Sequence, residues 1–325
     1  MNHVIVFDSA MTLIYLLTGF IVGMGLSAQT GINGRLRKSV GSPFLTSLLS
    51  FLISTLFILI WVLMQTGYSW LTVDLFVQQP VWIWFGGLFG CIFLTGNILL
   101  FSKLGAVQTV IFPVLGQMIA GVLIDQFGWF GAPVLPMVWH KTLGLILVLV
   151  GVIGVVYYSH HKRTGQNNHI QENRGLSLWF WRILGICTGA CSTLQITING
   201  QLGLVLKSPV RAALISFIVG SVSLFLMVCI QNTKIQISKP DGGKNPWWMW
   251  LGGFLGALYV IGNAWISPQI GTGTAVVIGL LGLMSAGLLI DQTGGFQSIK
   301  KPVCWQQLLS LAVIFIGVCA IRLFQ

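Results

Sequence analysis

The sequence predicts an all-α integral membrane protein: ten transmembrane helices arranged as two five-helix repeats of opposite topology. Three observations carry this expectation. The chain is 55% hydrophobic and only 7% charged, with a mean hydropathy of +0.88. A soluble domain has about 25% charged residues, so the solvent for most of this chain is lipid. Apolar stretches of roughly 20 residues, the length that crosses a bilayer as a helix, recur along it. Finally, the chain matches itself without a gap at an offset of 166 residues.

The echo is specific. Gln29-x-x-x-Asn33-Gly34 returns as Gln195-x-x-x-Asn199-Gly200, Ser42-Pro43 as Ser208-Pro209, and Ser50-Phe51 as Ser216-Phe217. Trp82-x-Trp84-x-Gly86-Gly87-x-x-Gly90 returns as Trp248-x-Trp250-x-Gly252-Gly253-x-x-Gly256. Gly96-Asn97 returns as Gly262-Asn263, Ile124-Asp125-Gln126 as Ile290-Asp291-Gln292, and Gly151-Val152 as Gly317-Val318. The period is far longer than the 20–50 residues of a solenoid repeat and suits a duplicated half-transporter.

The expected spans of the first half are 11–32, 43–65, 81–102, 107–125 and 138–158. Those of the second are 177–198, 209–231, 247–268, 273–291 and 304–324. All are helices, because an open sheet edge cannot be satisfied in lipid. The organisation is thus a first repeat over 1–158, a polar linker over 159–176, and a second repeat over 177–325. Many of the 13 Trp, Trp61, Trp129, Trp139, Trp179 and Trp305 among them, fall near span ends as an interfacial belt. No cleavable signal is expected: Met1–Ala10 has no basic start, and the next stretch reads as a span.

Five helices per repeat is odd, so the second copy enters the membrane upside down relative to the first. Such folds carry their sites near the midplane, where the halves meet. Of the 17 Lys and Arg, only Lys141, Lys207, Arg211 and Arg322 fall on the side of the two termini. The remainder lie with the linker, which the positive-inside rule places in the cytoplasm.

Acidic residues number six. Asp125 and Asp291 close the fourth and ninth spans at equivalent positions and are the candidates for proton or ion coupling. The alternative is a hydrated interfacial carboxylate that caps the turn following it. Uncharged amides are more informative. Gln29 and Asn33, like Gln195 and Asn199, stand four residues apart and share a helix face. Asn97 and Asn263 follow glycines in spans three and eight; Gln117 lies in span four, opposite Leu283 of the other repeat. Amides in lipid face the bundle interior or water. They are either a polar cavity that hydrogen-bonds a solute or interhelical glue worth about 0.6 kcal/mol per contact. Gly19-x-x-x-Gly23, Gly86-x-x-x-Gly90 and Gly252-x-x-x-Gly256 read as close helix contacts. Pro113, opposite Gly279, interrupts span four.

Several classes are excluded or disfavoured. The six Cys lie in or beside apolar runs without metal-ligand spacing, so neither disulfides nor a metal site are expected. The net charge of +11 is scattered between apolar runs and fits anionic headgroups, not nucleic acid. HExxH, Walker A and GxSxG patterns are absent, so no enzyme and no cofactor are expected.

The repeated Gln-x-x-x-Asn-Gly-x-Leu before Ser-Pro, with Ile124-Asp125-Gln126-Phe127-Gly128-Trp129-Phe130-Gly131 closing the first half, resembles the YdcZ family of the drug/metabolite transporter superfamily. The resemblance covers the whole chain, once per half, in the fused ten-helix form. The second half departs at Asp291-Gln292-Thr293-Gly294, where the aromatic and the later Phe-Gly are lost. The resemblance implies a bacterial inner-membrane transporter of small metabolites. It also implies cytoplasmic termini, opposite to the charge count; the expectation here follows the charge count. The function expected is secondary active transport by alternating access, with a small-molecule solute and membrane lipid as partners. Proton or ion coupling and a homo-oligomer stay open. The competing expectations are a non-transporting membrane interaction protein and a lipid-binding protein or flippase.

Overall fold

The computed structural model describes residues 9–66, 73–161, 175–232, 237, 245–297, 300 and 302–323. The expected linker falls largely outside them. The helices are α1 (Ser9–Val40), α2 (Pro43–Thr66), the short α3 (Val73–Gln78), α4 (Gly86–Phe127), α5 (Trp139–His161), α6 (Gly175–Val205), α7 (Pro209–Ile230), α8 (Gly252–Ile270), α9 (Thr272–Thr293) and α10 (Trp305–Leu323). Among the described residues no strand occurs.

Local chemistry sets the ends, and it repeats. Ser42 and Ser208 each accept a hydrogen bond from the backbone N–H three residues on, at 3.4 Å in both cases. Pro43 and Pro209 follow as first helical residues, where a missing N–H costs nothing. Gly128 and Gly294 end α4 and α9 in the left-handed region, φ 63° and 72°.

Seven stretches, Ala10–Val40, Pro43–Gln65, Gln108–Phe127, Trp139–Tyr158, Pro209–Ile230, Trp247–Ile270 and Thr272–Thr293, are long and apolar enough to cross a membrane. Gly86–Asn97 and Trp305–Ile321 are shorter apolar helices. α6 is 31 residues long but less apolar, because Thr188, Ser192, Thr193, Thr197 and Asn199 run along its buried face.

The expected boundaries need correction in three places. α1 and α6 continue to Val40 and Val205, well past the expected ends at 32 and 198. The Trp-rich starts of spans three and eight, Val81–Trp84 and Trp247–Trp250, are 3-10 turns, and the α-helices begin at Gly86 and Gly252. Spans three and four form one helical element, yet the chain reverses within it. Gly96 packs on Thr188, Gly185 packs on both Leu100 and Phe112, and Gly121 lies near Thr193. Along a straight helix Leu100 and Phe112 would stand about 18 Å apart, so α4 crosses twice. In the second half the same reversal is a clean break at Gly271, φ 85° and ψ 149°.

The inverted symmetry is visible where residues touch their own counterparts, since such pairs sit on a two-fold axis. In the α2–α7 contact Phe51 meets Phe217 edge-to-face at 4.9 Å, and the hydroxyls of Thr55 and Ser221 are 3.2 Å apart. Across the bundle, α5 and α10 cross where Val148 packs on Gly317 and Ile314 on Gly151, both side chains fully buried. There a Cβ on Gly144 would stand 2.7 Å from the Gly317 carbonyl, and one on Gly317 would stand 2.7 Å from the Gly144 carbonyl. Between these two contacts lie α1, α4, α6, α8 and α9, packed half against half.

This packing makes a graded prediction. A side chain at Gly87 would collide with the Ser216 carbonyl, whereas nothing lies within 4 Å of the Cβ position at Gly25. Gly87→Ala is expected to destabilise the folded protein by about 1–3 kcal/mol. Gly25→Ala is expected to be neutral or slightly stabilising, both read as thermal unfolding midpoints in detergent.

Candidate functional site

Four of the expected site residues form two equivalent clamps between the halves. Asn33 of α1 donates Nδ2 to Ser50 Oγ at 3.4 Å and lays its Oδ1 over Gly252, the first residue of α8. Asn199 of α6 donates Nδ2 to Ser216 Oγ at 3.1 Å and lays its Oδ1 over Gly86, the first residue of α4. One turn earlier, Gln29 lies over Gly256 and Gln195 over Gly90. The glycine pairs and the amide pairs, separate signals in the sequence, are thus two sides of one contact. Only glycine admits it: a Cβ on Gly256 would stand 2.6 Å from the Gln29 amide nitrogen. The buried oxygens of Gln29, Asn33 and Asn199 accept no N–H or O–H. The two Asn oxygens face a glycine Cα instead, the arrangement of a weak Cα–H···O contact.

The amides do not all converge. Gln195, Asn199 and Asn263 share a small hollow between α6 and α8 with Ile196, Tyr259 and Val260. Asn263 is 3% exposed and donates Nδ2 to the Tyr259 carbonyl at 2.9 Å. Its counterpart Asn97 is half-buried on α4 and lies outside the hollow. Gln117 is also outside it: its Nε2 donates to Ser192 Oγ at 3.3 Å, and its carbonyl accepts from Thr193 Oγ1 at 3.1 Å. At Gln117 the geometry is that of glue between α4 and α6.

Asp125 is buried and reaches across to the other half. Its Oδ1 accepts the Thr272 N–H at 2.8 Å and its Oδ2 the Gly273 N–H at 2.9 Å, so it caps α9 rather than the turn that follows it. Lys141 of α5 lines the same small pocket and donates Nζ to the Leu135 and Pro136 carbonyls. Asp291 stands half-buried at the end of α9. The adjacent glutamines repeat their role: Gln126 accepts the Met137 N–H and Gln292 the Val303 N–H, tying each following loop back. The second-half motif is better kept than expected. Phe296 stands at the Phe130 position with the same left-handed backbone, φ 56° against 58°. Each packs on the equivalent tryptophan, Trp248 or Trp82. What changes is Phe127 to Thr293, Trp129 to Gly295 and Gly131 to Gln297, the last also left-handed at φ 59°. Gln297 Oε1 accepts from Arg35 Nε at 2.7 Å.

One departure from symmetry bears on access. On α6 the face of Ile196, Gly200 and Gly203 is buried against α8. There Ser267 Oγ donates to the Ile196 carbonyl at 3.4 Å, and Gly200 abuts Pro268. Thr197 Oγ1 donates to Thr272 Oγ1 at 3.1 Å, tying α6 to α9 beside it. The equivalent face of α1, Thr30, Gly34 and Arg37, is exposed, and nothing lies within 4 Å of a Cβ on Gly34. The α6 face at the end holding both termini is therefore covered, while the corresponding α1 face at the linker end is uncovered. The hydroxyls that close it (Ser267, Thr197, Thr272) were not singled out in the sequence. Their only signal is their presence inside apolar runs.

The Asp125 cap is testable by itself. Asp125→Ala removes both acceptors and is expected to cost about 1–2 kcal/mol, the scale of a lost helix cap. Asp125→Asn keeps one acceptor oxygen and is expected to fall between Ala and the native residue in thermal unfolding.

The comparisons with known proteins agree with this architecture. A family model described as "Putative inner membrane exporter, YdcZ" matches residues 14–154 and again 180–320. The two matches are themselves offset by 166 residues. No curated protein matches the chain. A solved crystal structure with 16% sequence identity shares the fold, with a TM-score of 0.61 and 98% of each chain covered. The chain belongs to the YdcZ family of the drug/metabolite transporter superfamily, matched once by each of its two repeats.

Proposed function

We propose that this protein is a secondary transporter that moves a small solute across the bacterial inner membrane by alternating access between its two inverted halves. The observation that carries the reading is the unequal covering of equivalent faces. Ile196, Gly200 and Gly203 are packed against α8, while Thr30, Gly34 and Arg37 are open. Two halves of one design that adopt different packings have an accessible partner conformation, in which the roles of α1 and α6 are exchanged. In that conformer α1 closes on the first crossing of α4, as α6 here closes on α8, and α6 opens at the terminal end.

Solute contact falls to Gln29, Asn33, Gln195 and Asn199 together with Asn263, while Asn97 lies further off and Gln117 ties α4 to α6. As the halves rock, the glycines of α4 and α8 slide off the amides, which frees those amides for a ligand. The repeated Gly87 and Gly253, each facing a carbonyl of the opposite half, give smooth backbone surfaces for such sliding. Asp125 and Asp291 are the candidate coupling groups, at opposite ends of the bundle. The concentration of Lys and Arg at the linker end orients that end toward the cytoplasm. The uncovered face is then cytoplasmic, an orientation that suits a family described as an exporter.

Labelling tests this without a known solute. With the six native cysteines replaced, Thr30→Cys and Ile196→Cys occupy equivalent positions. A membrane-impermeant maleimide is expected to modify Thr30→Cys rapidly in inverted vesicles and not in intact cells. Ile196→Cys is expected to react slowly and only in intact cells, reporting the exchanged conformer. Ile196→Cys that never reacts, or two positions that react from the same side, would refute alternating access.

A further inference from the structure

We infer that the solute is uncharged where it binds and brings at least one N–H or O–H donor, as an amide, lactam or hydroxyl compound does. This rests on the transport reading and adds the chemical class of the cargo.

The first ground is charge. The hollow between α6 and α8 presents three amides, a tyrosine and two aliphatic side chains, with no carboxylate, amine or guanidinium. The symmetry-related surface in the first half offers Gln29, Thr30, Asn33, Phe93, Leu94 and Asn97, again without charge. Charged side chains near the bundle interior are engaged elsewhere. Asp125 holds the two N–H groups of α9, and Lys141 the carbonyls of the loop before α5. Arg182 donates to Gln108 at 3.1 Å and lies over the rings of Phe112 and Trp179. Arg35 donates to Gln297, Ser39 and Asn245. An ion entering the hollow would give up its hydration without meeting an opposite charge, which is strongly unfavourable in a membrane interior.

The second ground is hydrogen-bond capacity. Asn199 is 2% exposed, and its Oδ1 accepts no N–H or O–H from the protein. The oxygens of Asn33 and Gln29 are in the same state in the other half. Meanwhile the Nδ2 groups of Asn33 and Asn199 already donate to Ser50 and Ser216. What these buried amide oxygens lack is therefore a donor. A solute with an N–H or O–H replaces the weak glycine contact by a full hydrogen bond, and a solute with acceptors alone does not.

A series of probes with one shape and three charges tests this on the full-length protein in nanodiscs. Benzamide is neutral and carries donors; benzoate is an anion, and benzylamine a cation. Benzamide is expected to raise the unfolding midpoint saturably, with half-saturation at least about tenfold lower than for either ion. Gln195→Ala and Asn263→Ala are expected to abolish the benzamide shift. Gln195→Glu supplies the missing counter-charge and is expected to transfer the preference to benzylamine, an outcome that a merely misfolded variant cannot give. Equal or tighter binding of benzoate or benzylamine to the native protein overturns the inference. So does the absence of a saturable benzamide shift, or a shift indifferent to both alanine variants. Failure of the transport reading is seen separately, in the labelling at positions 30 and 196. Binding of an ion to a protein that labels as expected refutes only the neutral class.

Discussion

The rest of the structure depends on the approach of backbone to side chain at glycines of the opposite half. A polar side chain in lipid must find a partner within the protein, and each repeat supplies the partner for the other. Asn33 and Gln29 lie on Gly252 and Gly256; Asn199 and Gln195 lie on Gly86 and Gly90. Because lipid gives no hydrophobic drive for helix association, close van der Waals contact and short polar contacts carry it. The same surfaces do both here. A half folded alone would leave two glycines facing nothing and two amides without their covering.

This constraint explains why the interior is polar and yet closely packed. The hydroxyls of Ser50, Ser54, Thr193, Thr197, Ser216 and Ser267 are buried. Ser54 donates to the Gly253 carbonyl at 2.6 Å, from one half to the other. Each such bond has modest strength in a membrane, so many weak ties hold the halves together. An interface of that kind can exchange one packing for another at small cost, which a large apolar core would resist.

Much of the fold was legible in the sequence. Lipid forces helices, the 166-residue echo forces duplication, and an odd helix count forces inversion; the axis contacts at Phe51–Phe217 and Thr55–Ser221 then follow. The site was legible only in part. Spacing placed Gln29 with Asn33 on one face, but periodicity within a helix carries no information about what lies across from it. The pairing of amide with glycine therefore stayed hidden although both motifs were in view. Asp125 shows the same limit: its position at a helix end was readable, while its ligands, Thr272 and Gly273, are separated from it by more than a hundred residues. The unequal burial of Thr30 and Ile196 was also out of reach, because it belongs to a conformation and not to a sequence.

The pairs on the two-fold axis bear on the history of the chain. In a dimer of identical subunits an axial residue meets a copy of itself, so every substitution there is made twice at one point. Joining the repeats in a single polypeptide removed that restriction. Thr55 now faces Ser221, and beside the axis Val148 packs on Gly317 where its counterpart Ile314 packs on Gly151. Thr55 and Ser221, like the counterparts Val148 and Ile314, differ by one carbon, a mismatch that two identical subunits could not encode. The axis, the most constrained line in a symmetric ancestor, became a place where large and small partners could be fitted to one another.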